Sequence, residues 1–596
     1  MDVMVLQYNQ NRGGVQLNNQ SKPPKATNTM LSYISPKRWE IALGLLVKMI
    51  GTVIELLLPW MLSVILDVYV PLSDVGNIWL WGGLMVVASL VALVANVFAN
   101  RYSTRISRDI TIRVRGDLFR KVTSLPQSQV DYFTVPSLIS RLTSDTYHFH
   151  SMIDRMQRIG VRAPILLLGG LIVTGLMEPT LTLIFLAIIP LLAVVIWLVS
   201  SNGIRLFSLS QKKLDVTLKR SQESMNGMRV VRALSRSEYE KLRFDIANRD
   251  YIRSEKKATL LMNVSSPVMN LLLNVGLSLV ILLGAYRVNE GLTSVGTMIA
   301  FLSYFTIILN SLMMVSRIFM MLSKGTASAR RISEVLDSVD DLPRIDIPKV
   351  EEDGYITFDK VRFSYNKVID NISDVSFSLS RGQTLGIIGP TGSGKSTIVK
   401  LLMRFYDVDE GSIRIDGEDV RSIERDRLHS IFGVAMQNDF LFSGNVLENV
   451  DFLRDIPKVD IDEAMRASQA LSIIETDGYD REVASRGQNL SGGQKQRLYI
   501  ARALSGEPDV LILDDSSSAL DYATDLKLRS AIDSQYGDVT KIIVAQRISS
   551  VMNSDLIIML KEGKIIGMGT HEQLMEDCID YREIADVQLG GGEIYG

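Results

Sequence analysis

The sequence is poor in the residues that most often build disulfides and metal clusters. It contains one cysteine, Cys578, in 596 residues, so no disulfide can form within the chain. Its four histidines are scattered and leave little material for the site of a metalloenzyme. The formal net charge is only −2, without the strong basic excess that is typical of nucleic-acid-binding proteins. We therefore expect no nucleic-acid partner.

Apolar residues, in contrast, make up 47% of the chain, which excludes a disordered protein. Crossing a bilayer takes about 20 mostly apolar residues. Six stretches are long enough: Trp39–Leu66, Ile78–Phe98, Ile159–Met177, Leu181–Ser200, Thr259–Leu283 and Val295–Met321. Buried helices of a large soluble protein are the alternative, which is weakest for Leu181–Ser200 because that stretch carries no charge.

The loop charges test the membrane interpretation, because Lys and Arg stay on the cytoplasmic side of membrane helices. Loops 99–158 and 201–258 hold 10 and 14 Lys and Arg residues, and the other loops between the apolar stretches hold only Arg287. This distribution places both long loops and both termini in the cytoplasm. Residues 1–29 are polar and lack a signal core, so we expect a cytoplasmic tail. A bacterial-type plasma membrane is the expected location.

The character of the chain changes after Lys324. Both long loops before it have helical spacing, which predicts helices extending well over about 30 Å into the cytoplasm. From Tyr355 onward, short apolar strands alternate with amphipathic helices, an α/β pattern. The predicted regions are a cytoplasmic tail (1–29), an all-α transmembrane domain of six helices (30–335), a linker (336–354) and an α/β P-loop nucleotide-binding domain (355–596).

A glycine-rich loop carries the first chemical signal. Gly389–Ser396 matches G-x-x-x-x-G-K-[ST] between a predicted strand and a predicted helix. Backbone N–H groups of such a loop hold phosphates, Lys395 reaches the β and γ phosphates, and Ser396 ligates Mg²⁺. Asp514 ends a second apolar strand, as a Walker B carboxylate does. ATP and Mg²⁺ are the predicted cofactors, and the predicted nucleotide-binding residues of the loop are Gly389, Thr391, Gly392, Ser393, Gly394, Lys395, Ser396 and Thr397.

The segment LSGGQ stands just before the strand that ends in Asp514. Its residues are Leu490, Ser491, Gly492, Gly493 and Gln494. With the P-loop, this order resembles the ATP-binding cassette (ABC) transporters, specifically exporter half-transporters with six spans before one nucleotide-binding domain. The resemblance covers about residues 30 to 585, and SRLTSDT at 140–146 and GMRVVRALSRSEYE at 227–240 resemble the intracellular loops of exporters.

The resemblance implies roles for further residues. In this family two cassettes close head to tail, and each ATP lies between the P-loop of one and the LSGGQ of the other. Tyr365 would stack on adenine, and Gln437 would contact Mg²⁺ and the membrane domain. Ser518 and Asp521 would belong to the D-loop. The metal ligands would be Ser396, Gln437 and Asp514.

Two departures from the family pattern fall on catalytic positions. Asp515 stands where the family has the glutamate that polarises water, and Gln546 stands where it has the switch-loop histidine. Loss of a positioned base typically costs roughly 10² to 10⁴ in rate. A third departure, Ser485 in place of a glutamate before the signature, affects contact with the partner's intracellular loop.

These departures favour the degenerate-site half of a heterodimeric exporter. Its partner would be a homologous half-transporter with an intact Glu and His, and its LSGGQ would complete the partner's site. The alternatives are a self-sufficient homodimeric exporter and an ATP-gated membrane regulator that transports nothing. The resemblance implies a lipophilic or multidrug cargo, for which Glu55, an ionisable residue inside the first span, is a candidate contact.

Overall fold

The computed structural model describes residues 26–339, 341–437, 439–516 and 518–589. These residues form two compact units. The helical unit contains the described residues up to Thr123 and those of Thr134–Ser338. The α/β unit contains Ser124–Phe133 and the described residues from Val339 onward. Residues 1–25 of the predicted tail lie outside the described residues.

The helical unit consists of long helices joined by short ones and by two π-helical turns, Ile65–Tyr69 and Arg141–Asp145. Its helices are α1 (Ala26–Ile34), α2 (Arg38–Val64), α3 (Val75–Ser124), α5 (Val135–Ser140), α6 (Thr146–Met177), α7 (Pro179–Asn226), α8 (Met228–Ala233), α9 (Ser237–Asn289) and α10 (Val295–Leu336). Helix α4 (Gln127–Phe133) belongs to the α/β unit.

Five helical segments among the described residues are long and apolar enough to cross a membrane. They are Thr29–Tyr69, Val75–Ser124, Val135–Met177, Ser237–Asn289 and Val295–Val315. The remaining predicted span corresponds to the shorter apolar stretch Pro179–Leu192 within α7. Apolar side chains such as Leu93 and Val94 are mostly exposed, as expected of residues that face lipid.

Three helices are much longer than a bilayer requires. Helices α3, α7 and α9 have 50, 48 and 53 residues. At about 1.5 Å per residue each measures roughly 70 to 80 Å, against a hydrocarbon core of about 30 Å. These lengths agree with the extensions expected from the two long basic loops.

Buried side chains hold the helical unit together at several levels. Phe185 packs against Phe301 and Phe305, with ring centroids 4.9 and 5.0 Å apart. Asp145, only 2% exposed, accepts hydrogen bonds from Ser328 and from two nitrogens of Arg331. Because a buried carboxylate is costly unless it is paired, these bonds fix the π-helical turn before α6 against α10.

The α/β unit is built on two main sheets. A four-stranded sheet has the order β2-β1-β4-β5, and a six-stranded sheet has the order β12-β11-β3-β10-β9-β6. The strands are β1 (Ile356–Phe363), β2 (Ile372–Leu379), β3 (Thr384–Ile388), β4 (Glu410–Ile415), β5 (Glu418–Asp419), β6 (Phe432–Ala435), β7 (Gly444–Asn445), β8 (Glu482–Val483), β9 (Val510–Asp514), β10 (Thr540–Val544), β11 (Leu556–Lys561) and β12 (Lys564–Gly569). All five residues of β9 are buried, which explains its continuous apolar run.

Besides α4, eight α-helices accompany the sheets of this unit among the described residues. They are α11 (Lys395–Leu402), α12 (Arg425–Ser430), α13 (Val446–Asp451), α14 (Lys458–Ala467), α15 (Gly492–Leu504), α16 (Tyr522–Gln535), α17 (His571–Asp577) and α18 (Ile579–Leu589). The stretch before β1 is fixed to the unit, because the amides of Ile345 and Val350 donate to the carbonyls of Arg421 and Gly417.

Candidate functional site

One edge of the six-stranded sheet gathers most of the predicted site. Strands β3, β10, β9 and β6 are parallel neighbours, so their carboxyl ends meet at the same edge. The P-loop follows β3, Asp514 ends β9, and Gln546 and Gln437 follow β10 and β6. A pocket at this edge is lined by Asn371, Thr391, Gly392, Gly394, Lys395, Ser396, Thr397, Gln437, Asp514, Asp515, Val544, Ala545 and Gln546.

The P-loop has the backbone that a phosphate cradle requires. Gly394 precedes α11 with φ = 104°, and a Cβ there would lie 2.7 Å from Ile372 Cδ1. Only glycine tolerates both conditions. The Lys395 ammonium donates to the carbonyls of Gly389 and Pro390, at 2.7 and 2.8 Å. The Ser393 hydroxyl oxygen is buried without a hydrogen-bond partner among the described residues, and this loop therefore fits a phosphate group.

Two adjacent carboxylates and a lysine set the electrostatics of the pocket. Burial raises the pKa of the Asp514 carboxyl, and the nearby Asp515 charge raises it further, whereas a hydrogen bond from Ser396 opposes the rise. Burial also raises the pKa of Asp515 and lowers the pKa of Lys395. Ser396 and Asp514 supply the hydroxyl and carboxylate oxygens that a hard cation such as Mg²⁺ prefers.

Asp515 is held by two amides. Gln437 Nε2 donates to Asp515 Oδ2 at 3.1 Å, and Gln546 Nε2 donates to the same oxygen at 3.4 Å. The Asp515 backbone has φ = 49°, a region that residues other than glycine seldom adopt, and its amide donates to the Val544 carbonyl at 2.8 Å. The structure thus brings together three residues that are far apart in the sequence.

Tyr365 lies beside this pocket and is not among the described residues that line it. Its hydroxyl donates to Thr397 Oγ1 at 3.3 Å, and its ring meets the ring of Tyr406 edge to face, with centroids 5.0 Å apart. The ring is 41% exposed, and Lys400 Nζ lies 5.8 Å from its centroid. An exposed ring at the P-loop helix suits stacking on a planar base.

Comparison with known proteins identifies the family. Residues 41–312 match the sequence model of the ABC transporter transmembrane region, and residues 372–518 match that of the ABC transporter. The uncharacterized ABC transporter ATP-binding protein YfiB of Bacillus subtilis is 33% identical over 566 residues, covering 94% of this chain and 98% of YfiB. The chain belongs to the ABC transporter family.

Other relatives agree with this assignment. An uncharacterized ABC transporter ATP-binding protein of Mycobacterium tuberculosis is 34% identical over 568 residues, covering 93% of this chain and 97% of the relative. The solved structure of a bacterial Atm1-family ABC exporter with ATP bound aligns with a TM-score of 0.78 at 23% identity, over 93% of this chain and 98% of that one. This chain therefore has the fold of an ABC exporter half-transporter, and its ABC ATPase domain implies ATP binding.

The signature of this ABC transporter begins α15. Ser491 and Gln494 cap that helix reciprocally: Gln494 N donates to Ser491 Oγ at 3.3 Å, and Ser491 N donates to Gln494 Oε1 at 2.9 Å. Leu490 is buried, and Gly492 and Gly493 lie against Ala519. None of the signature residues is among the described residues that line the P-loop pocket of the same chain.

The D-loop is fastened to the signature helix by a residue that the sequence analysis missed. Gln496 Nε2 donates to Ser518 Oγ at 3.1 Å, and Ala519 N donates to Gln496 Oε1 at 2.9 Å. Asp521 caps α16 by accepting from Thr524 N at 3.1 Å. The available sequence signal was the position of Gln496, two residues after the signature.

A second missed feature is the segment Ser124–Phe133, which packs within the α/β unit. Tyr406 Oη donates to Asp131 Oδ2 at 2.5 Å, and Arg425 Nη1 donates to the Ser124 carbonyl at 3.4 Å. Burial raises the pKa of Tyr406, and the hydrogen bond to Asp131 raises it further. In the sequence, hydropathy shows this segment only as part of the basic loop 99–158, so its packing in the α/β unit was not predicted.

Glu55 and Lys48 of the first span have partners from other helices of the unit. Arg162 Nη2 in α6 donates to Glu55 Oε1 at 2.7 Å. Lys48, only 4% exposed, donates to Asn100 Oδ1 at 3.1 Å. Glu55 Oε2 is buried without a hydrogen-bond partner among the described residues. The structure therefore places Glu55 in an interhelical ion pair, and Arg162 was not foreseen.

Proposed function

We propose that this chain is the degenerate-site half of a heterodimeric ABC exporter of the plasma membrane, with both termini in the cytoplasm. Its own P-loop site binds MgATP and hydrolyses it slowly. The observation that carries the proposal is the pair Asp515 and Gln546 at the positions of the family's glutamate and histidine.

The geometry around Asp515 supports slow hydrolysis at this site. Its carboxylate is one methylene shorter than glutamate, and one oxygen is already engaged by the amides of Gln437 and Gln546. A general base must lie within about 2.6 to 3.2 Å of the attacking water, or reach it through one further water. Gln546 donates a hydrogen bond but accepts no proton, so neither residue replaces the family's glutamate and histidine.

The residues of the pocket have complementary roles in nucleotide binding. The P-loop amides and Lys395 hold the phosphates, and Tyr365 stacks on adenine. Ser396 and Asp514, with Gln437, hold Mg²⁺, which when bound neutralises phosphate charge. Asp514 and Ser396 line the same pocket, so both metal ligands are available at one place. This pocket retains nucleotide rather than turning it over.

The intact signature serves the partner. Leu490–Gln494 and the D-loop residues Ser518 and Asp521 lie outside this chain's own P-loop pocket and complete the nucleotide site of a homologous half-transporter with an intact Glu and His. Gln496 holds the two segments in one arrangement. When two nucleotides close both sites, the cassettes move the long helices. This movement opens the transport cavity toward the outside of the cell.

The cargo is a small lipophilic molecule of the multidrug type. Glu55 and Arg162 supply a polar contact for it, because their side chains are about one-third exposed, at 31% and 33%. Ionisable groups inside a membrane domain are commonly functional, since they are costly to keep there. The cargo would compete with Arg162 for the charge of Glu55, or with Glu55 for the charge of Arg162.

Affinity purification tests the heterodimer. A tagged copy of the chain is isolated from its native membrane, and the subunits and the ATPase rate of the product are measured. We expect a second ABC half-transporter in equal amount, and ATPase activity that disappears when that protein's Walker B Glu is changed to Gln. A product that contains only this chain and hydrolyses ATP rapidly would instead support the homodimeric exporter.

A transport assay separates the exporter from a regulator. The purified complex is placed in sealed vesicles, and ATP-dependent accumulation of a lipophilic fluorescent dye is followed. We expect accumulation that stops with Lys395→Ala in this chain, because nucleotide at both sites is needed for closure. ATP binding without movement of any tested dye would favour the ATP-gated regulator.

A further inference from the structure

The loop that carries Gln546 is tied to the last described helix, α18, by one side chain. Gln588 Nε2 donates to the Gln546 carbonyl at 3.0 Å. The Ile548 amide donates to Gln588 Oε1 at 2.7 Å. The donor and the acceptor of a single amide therefore hold the backbone on both sides of Arg547.

Packing beneath the loop reinforces this tie. Ala545 and Ile548, which flank Gln546 and Arg547, are 5% and 0% exposed. They belong to a buried cluster that includes Tyr581 and Ala585 of α18. Two kinds of contact with α18 therefore hold the loop backbone: the hydrogen bonds of Gln588 and the packing of Ala545 and Ile548.

The direction of the Gln546 side chain depends on that backbone. Its amide reaches Asp515 Oδ2 at 3.4 Å, in the pocket that Lys395 also lines. A 3.4 Å hydrogen bond is long, so it restrains the side chain weakly. The position of Gln546 is therefore restrained chiefly through its backbone, by the bonds to Gln588 together with the packing of Ala545 and Ile548.

We propose that Gln588 is a positioning residue that holds Gln546 in place to contact the γ phosphate of ATP. The inference rests on the proposed function in one respect, namely the location of the γ phosphate beside Gln546. Helix α18 thereby becomes part of the nucleotide sensor, although it lines no part of the pocket among the described residues.

The discrimination between ATP and ADP tests this role, because only ATP has the γ phosphate. Each nucleotide competes with a fluorescent ATP analogue for the full-length chain purified in detergent. We expect Gln546→Ala to lower the preference for ATP over ADP about tenfold, the size of one hydrogen bond to a charged group. Gln588→Ala should lower it about fivefold and leave ADP affinity unchanged.

Further variants show whether the tie itself is responsible. Gln588→Glu keeps an acceptor for the Ile548 amide but turns an oxygen toward the Gln546 carbonyl, so it should lower the preference at least as much as Gln588→Ala. Val587→Ala, at a neighbouring position that is 79% exposed, is the matched control and should have no effect. Because the two residues act through one contact, Gln588→Ala should add little in the Gln546→Ala background.

The possible outcomes are distinct. If Gln546→Ala lowers the preference for ATP and Gln588→Ala does not, the positioning role of Gln588 is wrong and the proposed function is unaffected. If Gln588→Ala weakens ATP and ADP binding equally, its role is structural and the inference fails. If Gln546→Ala itself has no effect, Gln546 does not contact the γ phosphate, and the inference fails together with that part of the proposed function.

Discussion

Gln437 donates to the carboxylate of Asp515 across 3.1 Å, which links the end of β6 to the end of β9. The same oxygen also accepts from Gln546, the residue that follows β10 by two positions. One carboxylate oxygen thus receives hydrogen bonds from two loops that would both face a nucleotide. One of the two oxygens of Asp515 is thereby occupied, and the side chain is suited to fixing both loops.

The raised pKa of Asp514 gives a prediction with a definite sign. The folded-state pKa lies above the unfolded value, chiefly because of burial, so the ionised carboxylate destabilises the nucleotide-free protein. This penalty is complete above the folded pKa and disappears below the unfolded pKa of about 3.9. Asp514→Asn should therefore raise Tm at pH 7.5 by a few degrees, and the gain should shrink as the pH falls toward the unfolded pKa.

Thermal unfolding in detergent at pH 7.5 and pH 5 measures these changes in Tm. The same measurement with MgATP tests Asp514 as a metal ligand. MgATP should raise the Tm of the unsubstituted chain and have much less effect on the Asp514→Asn variant, because a metal ligand is lost. Asp586→Asn, at an exposed position of α18, is the control and should change neither value. A lower Tm of the Asp514→Asn variant at pH 7.5 would refute the assignment of a burial penalty.

Gln496 gives a prediction about the partner's site. Gln496→Ala removes both bonds to the D-loop, so ATP turnover by the assembled transporter should fall about tenfold, since catalytic positioning is sensitive to small displacements. Gln496→Glu keeps the acceptor for Ala519 N, so its ATP turnover should lie between the turnover of the unsubstituted transporter and that of the Gln496→Ala variant. ATP binding by this chain alone should be unchanged in both variants. Unchanged turnover with Gln496→Ala would show that the D-loop needs no such support.

The buried Asp145–Arg331 contact predicts a difference between neighbouring arginines. Among the described residues, Arg331→Ala leaves the nearly fully buried Asp145 with its bond from Ser328 and the charge of Arg141 nearby, so it should destabilise the chain by about 2 kcal/mol. Arg330→Ala removes an exposed pair with Glu334 at 3.5 Å and should cost less than about 0.5 kcal/mol. Urea unfolding of both variants provides the comparison. Equal losses would mean that the buried pair contributes no more than the exposed one.

The P-loop, the signature and Asp514 were predictable because the residues next to each of them in the sequence indicate its local structure. Gly389–Ser396 and Leu490–Gln494 each have a glycine loop at a helix start, and the apolar run before Asp514 indicates a buried strand. The six apolar stretches and the basic loops likewise follow from short-range composition. These features depend on neighbouring residues, which a single sequence displays.

The remaining contacts join positions that are distant along the chain and chemically ordinary. Arg162 lies 107 residues after Glu55, and Gln588 lies 42 residues after Gln546. Asp131 lies 275 residues before Tyr406. An arginine, a glutamine or an aspartate carries no local signal of such a partner, and only the packing of the helices and sheets decides which side chains meet.

The most direct test of the degenerate-site account is the ATP turnover of the assembled transporter in which the partner's Walker B Glu is changed to Gln, before and after Asp515→Glu together with Gln546→His in this chain. In this background the partner's site is inactive, so the turnover reports the site of this chain. Restoring a glutamate and a histidine supplies the base and the switch residue that the pocket lacks. The account predicts little hydrolysis with the unsubstituted chain and at least about a tenfold increase with both changes. Rapid hydrolysis with the unsubstituted chain, with no gain from the two substitutions, would contradict it.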